Sequence, residues 1–149
     1  MCGQGEWPTQ QHGEKQQKRW KKLPIGADGQ GQIIASTVTE SHEQDPAQVP
    51  ALISQVARGI ARFIGDGLDD QAPVYAAVET HAPGAQVIIP PRKDAVLRPS
   101  AMTTPSQRDQ HLRVIEHEGR CAWKQTSGYY AQSQAEHAFS RCKRTCGGG

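Results

Sequence analysis

Ile60-Ala61-Arg62-Phe63-Ile64-Gly65-Asp66-Gly67 and Gln86-Val87-Ile88-Ile89-Pro90-Pro91 bracket the segment with the clearest structural pattern in the chain. The first run is apolar and ends at a Gly-Asp-Gly turn, which reads as a strand. The second is a strand stopped by two prolines, which cannot donate to a sheet ladder. Between them, residues 71–81 place Val74, Tyr75 and Val78 at helical spacing. Strands alternating with helices indicate an α/β layered domain with a mixed sheet.

Working outward, Asp45-Pro46 reads as a helix start, an N-cap acid followed by proline at the first helical position. Val49, Leu52, Ile53 and Val56 continue it, with Pro50 in the first turn, where it does least harm. Upstream, Leu23–Ala27 and Gln32–Thr39 flank Asp28-Gly29-Gln30-Gly31 and read as a hairpin, with Pro24 confined to an edge or a strand start. Residues 1–22 are polar, with Lys15, Lys18, Arg19, Lys21 and Lys22 clustered around Trp20. Downstream, residues 92–106 look like a loop. Residues 107–118 read as a helix with Leu112 and Ile115 inward, and residues 128–143 as the last helix. There is no internal repeat.

The 149 residues suit one domain with a thin core, since 36% are hydrophobic and 5% aromatic. Gly 15 and Pro 10 call for many turns. A net charge of +2 gives no global basic field, so nucleic-acid contact would need local clusters. No apolar run is long enough to span a membrane and no secretion signal is visible, which points to the cytoplasm. Cys2, Cys121, Cys142 and Cys146 are irregularly spaced and read as free thiols.

Asp66 lies just past a strand between two glycines. That place suits a carboxylate holding a metal at a sheet end, and equally an ordinary turn aspartate. Tyr129, Gln132, Glu136 and Lys143 follow one another at steps of three, four and seven, which on a helix share one face. A solvated surface helix would look the same, with Ala135, Ala138, Phe139 and Cys142 as the apolar stripe that packs on a sheet. The run Lys15–Lys22 could touch phosphates with Trp20 stacking, or simply be solvated. Cys142, Cys146 and His137 lack a second pair at zinc spacing, and Cys121 and Ser133 have no nucleophile motif around them.

Several stretches in order resemble the DDE transposase domain of bacterial insertion sequences. Gly3-Gln4-Gly5-Glu6-Trp7 resembles the Gly-x-Gly-Glu-Trp stretch after the family's first catalytic Asp. Arg19-Trp20-Lys21-Lys22-Leu23 resembles its basic Trp-x-Lys-Leu segment. Gly65-Asp66-Gly67-Leu68-Asp69-Asp70 resembles the Asp-Gly-Ala-Tyr-Asp motif around the second catalytic Asp. Ile88-Ile89-Pro90-Pro91-Arg92-Lys93-Asp94-Ala95 resembles Ile-Pro-Pro-Arg-Lys-Asn-Ala. Residues 129–143 resemble the signature Tyr-x2-Arg-x3-Glu-x6-Lys.

The resemblance implies an α/β, ribonuclease H-like mixed sheet with flanking helices, truncated at the first strand. Residues 1–149 would form a partial catalytic domain: a polar basic stretch 1–22, an α/β core 23–143 and a truncated tail 144–149. It implies Asp66 and Glu136 as catalytic metal ligands for Mg2+, with Mn2+ possible. Tyr129, Lys143, Lys15, Lys18, Arg19, Lys21, Lys22, Arg92 and Lys93 would meet DNA. Transposon ends are the implied partner, with a homodimer or an intact transposase beside them, in the bacterial nucleoid. In this chemistry three carboxylates hold two metal ions about 3.5–4 Å apart. The departures are specific. No acid precedes Gly3, so the first Asp is missing; Gln132 replaces the signature Arg, Leu68 replaces Tyr, Pro24 replaces a strand residue, and Gly149 ends the chain before the family's last helical stretch. A degenerate fragment, inactive alone, is therefore expected. The alternative is a DNA-binding or oligomerising remnant that modulates an intact transposase.

Overall fold

The computed structural model describes residues 7–8, 20–57 and 59–146. They divide into two units, Met1–Ala57 with Ser133–Gly149, and Arg58–Gln132. The described residues are mixed α and β, but strands alternate with helices only from α1 to α3, and in place of the expected mixed sheet hydrogen bonding gathers the strands into three small sheets, two antiparallel and one parallel. None of the helices among the described residues is long and apolar enough to cross a membrane.

In the first unit the expected hairpin forms. β3 (Ile25–Ala27) pairs antiparallel with β4 (Ile33–Ser36), the register shifting between Gly26 and Ala27. Asp28 builds the turn, its Oδ1 accepting from the amides of Gln30 and Gln32, both at 2.9 Å. Gly31 closes it with φ 75°, a left-handed conformation that side chains disfavour. The run expected as one strand through Thr39 divides instead. β5 (Thr39–Glu40) pairs with β2 (Trp20–Lys22), which also pairs with β1 (Trp7–Pro8). Pro24 is buried just ahead of β3 and accepts from the Thr37 amide at 3.1 Å, the strand-start position proline tolerates.

Asp45 is not the helix cap. Gln44 occupies that place, and Asp45 opens a 3-10 turn (Asp45–Gln48) with its carboxylate 3.6 Å from Lys22 Nζ. α1 (Val49–Ile53) is correspondingly short, and Val56 lies beyond it. Gln55 then reaches back to β4, accepting from Ser36 N at 3.1 Å and donating to Ser36 O at 2.9 Å. α5 (Ser133–Cys146) packs on β3 and β4 through buried Ala135 and Ala138, with Phe139 and Cys142 half-buried. That is the apolar stripe read from the sequence.

The second unit is built on β6 (Arg62–Ile64), α2 (Ala72–His81) and β7 (Gln86–Ile88). The two strands are parallel, Phe63 opposite Val87. Parallel strands need a crossover, and Val74 and Val78 of α2 supply its buried face. α3 (Gln107–Glu118) begins where the sequence indicates, but Leu112 and Ile115 are only half-buried. The residues of α3 that face inward are polar. Gln107 accepts from Val87 N at 2.8 Å and donates to Ala85 O at 2.9 Å, and His111 Nε2 lies 2.7 Å from Val87 O. The buried Trp123 indole donates to His111 Nδ1 at 3.1 Å, so Nε2 carries the proton and donates to Val87. α3 thus satisfies the outer edge of β7 as a further strand would. Trp123 sits on α4 (Arg120–Thr126), a helix the sequence reading missed.

Ser106 caps α3 in a reciprocal capping box with Asp109. The Asp109 side chain has no solvent exposure. Burial pushes its pKa up, but hydrogen bonds from Ser106 and from the Arg98 backbone and guanidinium outweigh that, holding the group below the ordinary carboxylate range. A depressed carboxylate contributes stability in full above its unfolded pKa and loses it as pH falls through the folded one. The urea midpoint of the chain should therefore decline as pH drops below the ordinary aspartate value of 3.8. Asp109→Asn should flatten that decline in urea titrations at stepped pH.

Candidate functional site

Asp66 follows β6, where Gly65 N closes the ladder by donating to Ile88 O at 3.1 Å. Its backbone is extended, and it caps a 3-10 turn (Gly67–Asp69), with Oδ1 accepting from Leu68 N at 2.8 Å. The side chain is half-buried at the carboxyl end of a parallel strand, the end at which open α/β sheets present ligand-binding groups.

The two acids that follow Asp66 do structural work. Asp69, 2% exposed, turns back so that Oδ2 accepts from Asp66 N at 3.1 Å. Asp70 is gripped by Arg108, Oδ1 to Nε at 2.7 Å and Oδ2 to Nη2 at 3.1 Å, and also accepts from Arg92 N at 3.0 Å. This pairing raises the Arg108 pKa further, chiefly through the hydrogen bond to Asp70. Burial first, and then Asp70 beside it, push the Tyr75 phenol well above its ordinary value. The sequence placed Asp69 and Asp70 near Asp66 but gave no sign of Arg108 as partner, because the pair is 38 positions apart.

Arg92 and Lys93 are exposed on the segment that Asp70 holds. Arg120 supports the same segment, donating to Pro91 O at 2.6 Å. The Asp66 turn lies against it too, since a Cβ built on Gly67 would be 3.8 Å from Pro90 O. The turn that carries Asp66 and the segment that carries Arg92 and Lys93 are thus held against each other through their backbones.

The remaining expected residues divide. The last helix does not run unbroken from residue 128. Tyr129 and Gln132 stand on a 3-10 turn (Tyr129–Gln132), and only Glu136 and Lys143 are on α5. Gly128, with a left-handed φ of 82°, lies outside the helix it was expected to begin, and the change from 3-10 turn to α-helix comes at Ser133. Tyr129 lies 5.8 Å from Trp123 and under Lys124 Nζ at 5.5 Å. Glu136 and Lys143 are exposed on the first unit, Lys143 Nζ standing 4.8 Å over the Phe139 ring. Lys21 pairs with Glu40 at 3.3 Å, and Lys22 donates to Glu43 O at 3.0 Å besides pairing with Asp45. Lys15, Lys18 and Arg19 lie outside the described residues.

The transposase DDE domain family matches residues 1–149, the whole chain. The chain belongs to that family. Its function is accordingly related to transposition, and DNA is the general partner of such domains. No solved structure matches it.

Transposase DDE domains generally depend on divalent metal. Mg2+ demands several oxygen ligands in near-octahedral order. In neither unit do the described residues gather three His, Cys, Asp or Glu side chains able to share an ion. Asp66 brings one carboxylate, with one oxygen already engaged, and Asp69 and Asp70 are committed to backbone and arginine. The described residues do not by themselves fit the metal.

Gly65 guards the Asp66 turn: a Cβ there would stand 2.6 Å from Asp69 Oδ2. Gly65→Ala should cost about 1–3 kcal/mol in chemical denaturation, as overpacking does. Gly67→Ala, with nothing nearer than 3.8 Å, should cost distinctly less.

Proposed function

We propose that the chain is a catalytic-domain fragment of an insertion-sequence DDE transposase, acting on transposon-end DNA and unable by itself to cleave or join it. What supports this reading is Asp66 at the carboxyl end of β6, on a turn that packs against the segment bearing exposed Arg92 and Lys93. Asp66 and Glu136 are the two catalytic carboxylates. The parallel β6–α2–β7 arrangement supports assigning the domain to the ribonuclease H-like class. Tyr129 and Lys143 orient phosphates near the cut, while Arg92, Lys93 and the cluster Lys15, Lys18, Arg19, Lys21 and Lys22 contact the backbone as point charges or forks. In the family chemistry, a divalent ion, Mg2+ or Mn2+, supplies the activation of the attacking oxygen. The described residues do not gather the ligand set for that role, and removing one charge-stabilising group from such a site commonly lowers rate by about a hundredfold or more.

The exposed cations also favour a second reading, a DNA-binding or oligomerising remnant that modulates an intact transposase. Both readings require weak, salt-sensitive, sequence-independent affinity for duplex DNA.

With transposon-end duplex in Mg2+ or Mn2+, the purified chain should give no nicked or joined product. A version extended upstream by a strand bearing an Asp should gain activity, and Glu136→Ala should abolish that gain. Nicking by the chain as it stands, lost on Asp66→Ala, would overturn the reading. Separately, neutralising Arg92 and Lys93 should weaken duplex binding and lower the log–log salt slope by about 0.9 for each phosphate contact removed. Titrations at several salt concentrations check it, and an unchanged slope rejects the DNA role of this pair.

A further inference from the structure

Asp70 stands directly after the Asp66 turn, with its side chain wholly withdrawn from solvent. A carboxylate in that position must be paired and hydrogen-bonded, or its burial is strongly unfavourable. Both oxygens are engaged, Oδ1 by Arg108 Nε and Oδ2 by Arg108 Nη2 and the Arg92 amide. The bonds reach 22 and 38 positions along the chain, so the Asp66 turn, the Pro90–Arg92 segment and α3 meet at one carboxylate. Arg108 also donates to Val96 O at 3.4 Å. Buried Ile89, Pro90 and Pro91 seat the segment before Arg92, whereas Leu68 in the Asp66 turn is 57% exposed and Val96 is 76% exposed, so the turn itself gains little from apolar packing. A bidentate arginine–carboxylate pair fixes direction as well as distance.

We propose that Asp70 is a positioning residue: through Arg108 and the Arg92 backbone it sets the Asp66 turn against the segment that bears Arg92 and Lys93, so that these two cations meet a DNA phosphate backbone in a defined arrangement. The proposal rests on the transposase reading of Asp66 given above. Asp70 takes no part in ligation. It acts only through the segment it holds.

The test uses the full chain with Asp70→Asn and Arg108→Lys, followed by amide hydrogen exchange, which needs neither metal nor DNA. Loss of one strong charge-assisted bond should accelerate exchange about tenfold at Asp66, Leu68, Asp69 and Arg92, while the amides of Val78 and Ile88 keep their rates. Acceleration at Arg92 alone would show that Asp70 holds only its immediate partner and would overturn the proposal. Uniform acceleration across α2 and β7 would mark a merely structural role and would also overturn it. Should Asp70→Asn fail to fold, Arg108→Lys, which keeps both charges, decides.

Duplex affinity supplies a readout of opposite sign. Asp70→Asn adds a net positive charge and by electrostatics alone would tighten binding; positioning requires weaker binding in both variants, by several-fold. Native-like affinity in both, alongside weakened binding when Arg92 and Lys93 are neutralised, would sink the positioning role and leave the transposase reading standing. If neutralising Arg92 and Lys93 changes nothing, the DNA role fails, and the exchange pattern still judges whether Asp70 sets the turn.

Discussion

Two carboxylates withdrawn from water, Asp70 and Asp109, impose the constraint around which the second unit is arranged. Neither can be buried alone, and breaking such a pair typically costs about 3–5 kcal/mol because an uncompensated charge is left behind. Each therefore requires an arginine and backbone donors at fixed places. Asp109 draws Arg98 and Ser106 onto the start of α3, while Asp70 draws Arg108 of the same helix onto the turn after β6. The helix is seated by charge and hydrogen bonding more than by its apolar residues, since Leu112 and Ile115 are only half-buried.

The same economy of apolar surface governs the sheets. A strand with an open edge exposes unpaired donors and acceptors, and with strands of two to four residues there is little ladder to share. Side-chain amides fill the gap in both units: Gln55 pairs with both backbone groups of Ser36, and Gln107 spans Ala85 and Val87. His111 and Trp123 extend the device inward, linking the edge of β7 to the buried indole of α4. The chain thereby assembles a layered α/β arrangement from small sheets with a thin core.

Function inherits this division of labour. Within the run Gly65–Asp70, three acids lie close in sequence, and they differ in burial: Asp69 and Asp70 are buried, Asp66 only half-buried. Asp69 shapes the turn from within and Asp70 anchors it from behind. The result is a turn tied by polar contacts, with Arg92 and Lys93 exposed on the segment it packs against. Membership of the transposase DDE domain family gives that element its chemical context.

Local periodicity, turn chemistry and capping sufficed for the mixed α/β class, the Asp28 hairpin turn, the start of α3 and the stripe by which α5 packs. The sequence by itself also singled out Asp66, Glu136 and the Arg92–Lys93 pair through ordered motifs. Tertiary structure alone decided what distant partners dictate. Asp45 lies one residue past the cap and faces Lys22; α4 carries a tryptophan whose indole donates to His111; the helix expected from residue 128 begins instead as a 3-10 turn at Tyr129 and becomes α-helix at Ser133. Local pattern records which residues prefer a helix or a turn. It carries no record of which arginine, many residues away, will meet a carboxylate once both have left water, and that pairing fixes the Asp66 turn.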